Sequence, residues 1–359
     1  MIERLESRVP LAPFSTLGVG GAARWLLRAI DARDVAAAHE WCESAQTPLL
    51  VLGGGSNLVV ADEGWHGLVL HIGLTGIEFR ASGGDTLITA AAGEPWDRLV
   101  AASVERSLAG IECLSGIPGS VGGTPIQNVG AYGQEVGEVV ESVSLFDRRE
   151  NRMRTLGGGE CRFAYRMSRF KSEDAGRFVV CGVTLRLAPR SPTVTYPDLA
   201  NYLDEAGVTV PTVGDVRQAV LAIRRRKGMV LDPSDADTRS VGSFFMNPVV
   251  PEEVRERISS VAGRMAPAYP AGAGHVKVPA AWLIEQAGFR KGDVYGGAAI
   301  STKHPLAIVN RRRAKASDVV HLATRIKRGV MDRFGVALRP EPVFVGFAAD
   351  PEVEYLTRS

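Results

Sequence analysis

The chain has 359 residues, 45% of them hydrophobic, and Lys plus Arg number 42 against 40 Asp plus Glu, for a net charge of +2. That length provides for a sizeable core and about two or three domains. The near-neutral charge argues against nucleic acid as the natural partner, and the absence of any long apolar run argues against membrane insertion. Four cysteines stand far apart with no C-x-x-C pair, and six histidines form no H-x-x-x-H pattern. No metal is therefore expected, and reduced, buried thiols fit a cytoplasmic chain. The opening MIERLESRVP mixes charges and lacks the apolar core of a signal peptide.

In chain order, Asp34 is placed to cap a helix running to about residue 46. PLLVL (48–52) reads as a buried strand that runs straight into GGGSN (53–57), and LVLHI (68–72) as a second strand. TLITAAAG (86–93) begins another strand, and Pro95 suits the first turn of a helix to about Ser107. RFVVCGVTLRL (177–187) alternates like a strand of an antiparallel sheet. In DVRQAVLAIRRRK (215–227), Val216, Ala219, Val220 and Ile223 fall on one helical face. GMVLDPSDADTRS is loop-like and marks a candidate domain boundary. PEEVRERISS, PAAWLIEQAG and SDVVHLATRIKRGVMDRFG are further helices, the last with Ser317 as N-cap, and EPVFVGF (341–347) is the closing strand.

Glycine clusters carry the chemical hints. In GGGSN, successive N–H groups after a strand form a nest for an anion such as a diphosphate, although a plain tight turn has the same look. It is neither a Walker A loop nor a G-x-G-x-x-G. SGIPGSVGGTPIQNVGAYGQEVG (115–137) is glycine-rich and almost uncharged, yet it retains Ile117, Val121, Ile126 and Val129. It reads as a loop packed on a large, flat, uncharged ligand, with a structural Ω-loop as the alternative. Ser243, in RSVGSFFMNP, has no histidine near it and no G-x-S-x-G frame, so it is no ordinary hydrolase nucleophile.

GGGSN, PGSVGGTPIQNVGAYG, CRFAYRMSRFK, VGSFFMNP, AWLIEQAG and RPEPVFVG occur in that order between about Phe14 and Phe347. Together they resemble the UDP-N-acetylenolpyruvoylglucosamine reductase (UDP-N-acetylmuramate dehydrogenase) family. The tyrosine of CRFAYR and the TYPDL segment resemble the first of its two types. The resemblance implies an α+β chain: a two-domain FAD-binding fold of the vanillyl-alcohol-oxidase-like type plus a third α+β substrate-binding domain. The implied parts are 1–74 and 75–227, with a return at 329–359, for FAD, and 228–328 for substrate. The implied activity is NADPH-dependent, FAD-mediated reduction of UDP-N-acetylglucosamine enolpyruvate to UDP-N-acetylmuramate, in peptidoglycan precursor synthesis. The FAD would be non-covalent and the enzyme a cytoplasmic monomer. The preference for NADPH over NADH stays open.

Residue by residue, the resemblance assigns FAD to Gly53, Gly54, Gly55, Ser56 and Asn57, then Pro118, Gly119, Gly122, Gly123, Thr124, Asn128, Gly130, Ala131 and Tyr132. Ser243 matches the proton donor. Arg166 and Glu341 match the residues that stabilise the charge building on the substrate carboxylate, and Glu341 does so only as a hydrogen-bond or proton donor. Tyr165, Tyr196, Lys227, Asn247 and Gln286 match substrate or nicotinamide contacts, and Tyr269 and Lys277 match contacts to the diphosphate. Met246 departs from the pattern, since some relatives carry lysine there. The competing expectation is an FAD-dependent sugar or alcohol oxidase of the same superfamily. Such an enzyme needs a base to take a substrate proton, which a serine beside this Arg–Glu pair does not supply.

Overall fold

The structure is a computed structural model and describes residues 4–358. Two compact units divide the chain. Unit 1 takes the chain to Val9, then Ala23–Gly55 and His66–Val230. Unit 2 takes Pro10–Ala22, Ser56–Trp65 and the described chain from Leu231 onward. The main division falls between Val230 and Leu231. Strands and helices mix in both units, as the α+β expectation requires.

The two larger sheets of unit 1 carry most of its strands. In the first, the order is Glu6–Pro10, Ala22–Ala29, Trp65–Ile72, Leu49–Leu52, and the last two strands run parallel with Leu50 opposite Val69. The second is an antiparallel five-stranded sheet ordered Arg152–Gly157, Val140–Asp147, Phe178–Leu187, Asp85–Ala91, Ile77–Ser82. Its inward residues Val143, Leu145, Val183, Leu185 and Ile88 are buried, together with Trp96 and Leu99 of the helix Trp96–Val104. That helix stops short of Ser107, which adopts a positive φ of 55°. The helix Ala32–Ser44 is opened by Asp31. Asp34 sits three residues further in as the reciprocal partner of a capping box, so the cap lies three residues earlier than the sequence reading placed it. The helix Val213–Arg226 buries the stripe expected of it, against Leu199 and Leu203 of the helix Pro197–Glu205.

Unit 2 contains the sheet Ser240–Ser243, Ala307–Asn310, Ala298–Ile300, Val294–Tyr295, with the helix Ala316–Phe334 packed on it. Its second sheet is Val249–Pro251, His275–Lys277, Tyr269–Pro270. Leu58–Val60 pairs in parallel with Val343–Val345. Val343–Val345 thus pairs with a segment that the sequence analysis places in 1–74. The helix Ala316–Phe334 begins after Lys315, and Ser317 is not its cap. The carboxylate of Asp62 takes the N–H groups of Ala316 (2.7 Å) and Ser317 (3.1 Å), and the Ser317 hydroxyl donates to it as well (2.8 Å). A charged acceptor from a distant segment satisfies the orphan donors of a helix start better than a hydroxyl does. The chain also runs past the last strand into a short helix, Pro351–Thr357. Buried Lys327 fastens it by donating to the carbonyls of Tyr355, Leu356 and Arg358 at 2.7–2.8 Å.

Candidate active site

The strand Leu49–Leu52 delivers Gly53 directly, and the glycine run there meets the second glycine loop backbone to backbone. A Cβ at Gly54 would sit 2.6 Å from the Cα of Gly119, and one at Gly53 would sit 2.5 Å from Ser120 Oγ. Ser120 Oγ accepts the Gly54 N–H at 3.2 Å. No side chain larger than hydrogen fits between these loops, which is why glycine recurs on both. The loop around Pro118 is fixed from below: Trp96 N–H donates to Gly119 O (3.0 Å), Val121 N–H to Glu94 O (2.9 Å) and Gly122 N–H to Ala92 O (2.8 Å). Its start is held by Asp97, which accepts Gly116 N–H and a two-pronged pair from Arg217 at 2.7 and 2.8 Å. The Arg217 bond, against the opposing pull of burial, keeps the Asp97 carboxyl below its usual range. At Gly123 a Cβ would meet nothing within 4 Å.

The second half of the loop is a hairpin. Gly130–Ala131 pairs with Gln134–Glu135, and the turn residues Tyr132 and Gly133 both have positive φ, 49° and 87°. Two positive φ values match the twist of a tight hairpin, and a tyrosine in that region is uncommon. The Tyr132 ring meets Tyr196 edge to face at 5.3 Å. Asn128 is buried and its side-chain amide serves the loop itself. It donates to Glu135 (2.6 Å) and Ala164 O (3.1 Å) and accepts from Gly137 N–H (2.8 Å). Thr124 is also buried, its hydroxyl on Val121 O. Two uncharged, glycine-lined loops with backbone exposed at Gly123 fit an FAD nucleotide.

Tyr165 and Arg166 occupy the tip of a tight turn closed by mutual bonds of Ala164 and Met167 at 3.0 Å. Arg166 sits at φ 54°, donates to Gly130 O at 2.8 Å and lies 5.2 Å from the Tyr165 ring. The turn thus presents a guanidinium fork beside the hairpin Gly130–Glu135. Lys227, at the end of the helix Val213–Arg226, pairs with Asp198 at 2.8 Å. It ties that helix to the TYPD start of the next one back in the chain.

The GGGSN run crosses from unit 1 to unit 2 between Gly55 and Ser56. In unit 2, Asn57 Nδ2 donates to Glu341 O (3.2 Å), and Val343 N–H donates to Asn57 O (2.9 Å). Glu341 N–H donates to Phe244 O at 2.8 Å. Ser243 and Glu341, nearly a hundred positions apart in the chain, are therefore neighbours in unit 2. Asn247 Oδ1 accepts Ala280 N–H at 2.9 Å and so caps the helix Ala280–Gln286, which carries Gln286 at its end. Tyr269 and Lys277 face each other across two strands. Residues 232–239 are tightly bonded: Thr238 Oγ1 donates to Asp232 O and Asp235 O, and buried Asp237 takes Thr302 N–H and Arg311. Sequence reasoning passed over Asp97 and Asp198.

Residues 24–157 match the model of an FAD binding domain, and residues 232–345 match that of the UDP-N-acetylenolpyruvoylglucosamine reductase C-terminal domain. A UDP-N-acetylenolpyruvoylglucosamine reductase of Streptomyces coelicolor is 49% identical over 349 residues, covering 94% of this chain and 90% of the relative. One of Thermobifida fusca is 47% identical, covering 96% and 99%. The crystal structure of the corresponding reductase of Thermus caldophilus superposes with a TM-score of 0.64 at 26% identity, over 95% of this chain and 99% of that one.

Proposed function

The chain belongs to the UDP-N-acetylenolpyruvoylglucosamine reductase family, and we propose that within it Ser243 delivers the proton while Glu341 and Arg166 handle the substrate carboxylate. It is an FAD-containing oxidoreductase with a two-domain FAD-binding fold. It reduces UDP-N-acetylglucosamine enolpyruvate to UDP-N-acetylmuramate, with NADPH as co-substrate.

Bound FAD, once reduced by NADPH, would supply a hydride for the terminal carbon of the enolpyruvyl double bond. The neighbouring carbon then carries charge that spreads into its carboxylate. A serine hydroxyl is a weak acid, so it protonates that carbon only where its own geometry is fixed and the charge is held nearby. The observation that carries this reading is the Glu341 N–H to Phe244 O bond, which brings Glu341 alongside Ser243. Asn57, Phe244 and Val343 fix the backbone around Glu341, and its proposed part is to donate a hydrogen bond or a proton from its carboxyl to the charge on the substrate. Arg166 offers a planar fork suited to a carboxylate, held at one edge by Gly130 O. Tyr165, Tyr196, Lys227, Asn247, Gln286, Tyr269 and Lys277 are proposed to bind the sugar nucleotide and nicotinamide. The cytoplasm is the proposed compartment, because Cys42, Cys113, Cys161 and Cys181 are all free thiols. No helix among the described residues is long and apolar enough to cross a membrane.

Stopped-flow on Ser243→Ala tests the reading. NADPH is expected to bleach the flavin at the normal rate, and reoxidation by the enolpyruvyl substrate to slow by ~10²–10⁴-fold. Equal slowing of both half-reactions would make Ser243 structural.

A further inference from the structure

The strand that carries Ser243 has one residue too many. Ser240 faces Val309 and Ser243 faces Ala307, so three steps on one strand match two on its partner. The surplus falls at Gly242, whose φ is +78°. This is a β-bulge with glycine in the left-handed region, a device that bends a strand and re-aims a side chain. A regular strand would put Val241, Ser243 and Phe245 on one face. Val241 and Phe245 are buried, 6% and 1% exposed, whereas Ser243 is only half-buried. By register the bulge moves the serine from the face of Val241 to that of Ser240, Val309 and Ala307.

One side chain holds the bulge. Ser240 Oγ accepts the Gly242 N–H at 3.1 Å, a bond from side chain to backbone two residues on that imitates a turn. It gives a partner to an N–H in the part of the strand where the ladder is disrupted. Ser240 is itself buried and anchored, since Thr16 Oγ1 donates to its carbonyl at 2.6 Å. The facing strand is tied to the same segment, because Asn310 Nδ2 donates to Gly18 O at 3.0 Å and Asn310 N–H to Arg239 O at 2.9 Å. A Cβ at Gly242 would meet nothing within 4 Å, so glycine is there for its φ and not for space.

We propose that Ser240 is a positioning residue for proton delivery: its hydroxyl fixes the Gly242 bulge and thereby the direction of Ser243. This rests on Ser243 as the proton donor and adds what aims it. The test compares Ser240→Ala, Ser240→Thr and Ser243→Ala holoenzymes in both half-reactions, with amide exchange at Gly242. For Ser240→Ala, flavin reduction by NADPH should stay within about twofold, while reoxidation by the enolpyruvyl substrate slows about tenfold or more, the scale of a small misplacement. The Gly242 amide should exchange faster, and Ser240→Thr, which keeps the hydroxyl, should restore both. Normal reoxidation in Ser240→Ala beside a slow Ser243→Ala overturns the Ser240 role alone. Parallel loss of both half-reactions in the Ala and Thr variants overturns it too, by showing a packing effect. Normal reoxidation in Ser243→Ala removes the donor reading and the Ser240 role with it.

Discussion

The amide of Glu341 donates to the carbonyl of Phe244 at 2.8 Å, a main-chain bond that sets the glutamate beside Ser243. The backbone bond does not depend on the carboxyl group. The side chain is thus open to substitution without loss of the strand pairing that places it.

For that reason Glu341→Gln should fold and bind FAD normally. Its amide still donates a hydrogen bond but gives up no proton. Reoxidation by the enolpyruvyl substrate should slow by ~10²-fold or more if a proton is required of Glu341, and flavin reduction by NADPH should hold. Rapid-mixing absorbance of each half-reaction gives the answer, and a Gln variant as fast as the parent would reduce Glu341 to a hydrogen-bond donor.

Gly54→Ala places a methyl group 2.6 Å from the Cα of Gly119, with backbone on both sides. Neither loop yields as a flexible side chain would. The expected outcome is overpacking worth about 1–3 kcal/mol, together with loss of FAD from the purified protein. Melting temperature and the flavin-to-protein absorbance ratio measure the two effects. Unchanged FAD content would show that the loops part without harm to the nucleotide site.

The buried carboxyl of Asp147 is held down from 3.8 to about 2, chiefly by its bond from Arg177, whose Nη2 lies 2.6 Å away. A depressed folded pKa stabilises above the unfolded value and is lost as pH falls through the folded one. Urea unfolding should therefore show Asp147→Asn less stable by roughly 2 kcal/mol at pH 7, with about half of that gap gone by pH 3. A gap that stayed constant on acidification would point away from this ion pair.

FAD should be released by acid precipitation, leaving a colourless pellet. The 115–137 loop has no histidine, and Cys113 is fully buried with its thiol pushed up to about 12. A thiol so far from ionisation is a poor nucleophile for flavin attachment. Yellow colour in the pellet would contradict this.

The sequence by itself determined the local elements whose causes are local. The apolar run at 49–52, the stripe Val216, Ala219, Val220 and Ile223, and the glycine clusters each declare their structure through periodicity or missing side chains, and the order of six motifs declared the family. The helix starts show where that reach ends. Asp31 lay within three residues of the expected cap, whereas Asp62 caps a helix more than 250 positions away, and no local pattern announces such a partner. The tertiary structure also decided that Asn57, Ser243 and Glu341 converge, because strand pairing between distant segments is chosen by core packing. It likewise decided that Lys227 is met by Asp198 and that the strand carrying Ser243 bulges at Gly242. A glycine before a serine leaves a bulge open as a possibility. Only the register against Val309 and Ala307, fixed by a strand more than sixty residues downstream, makes it one.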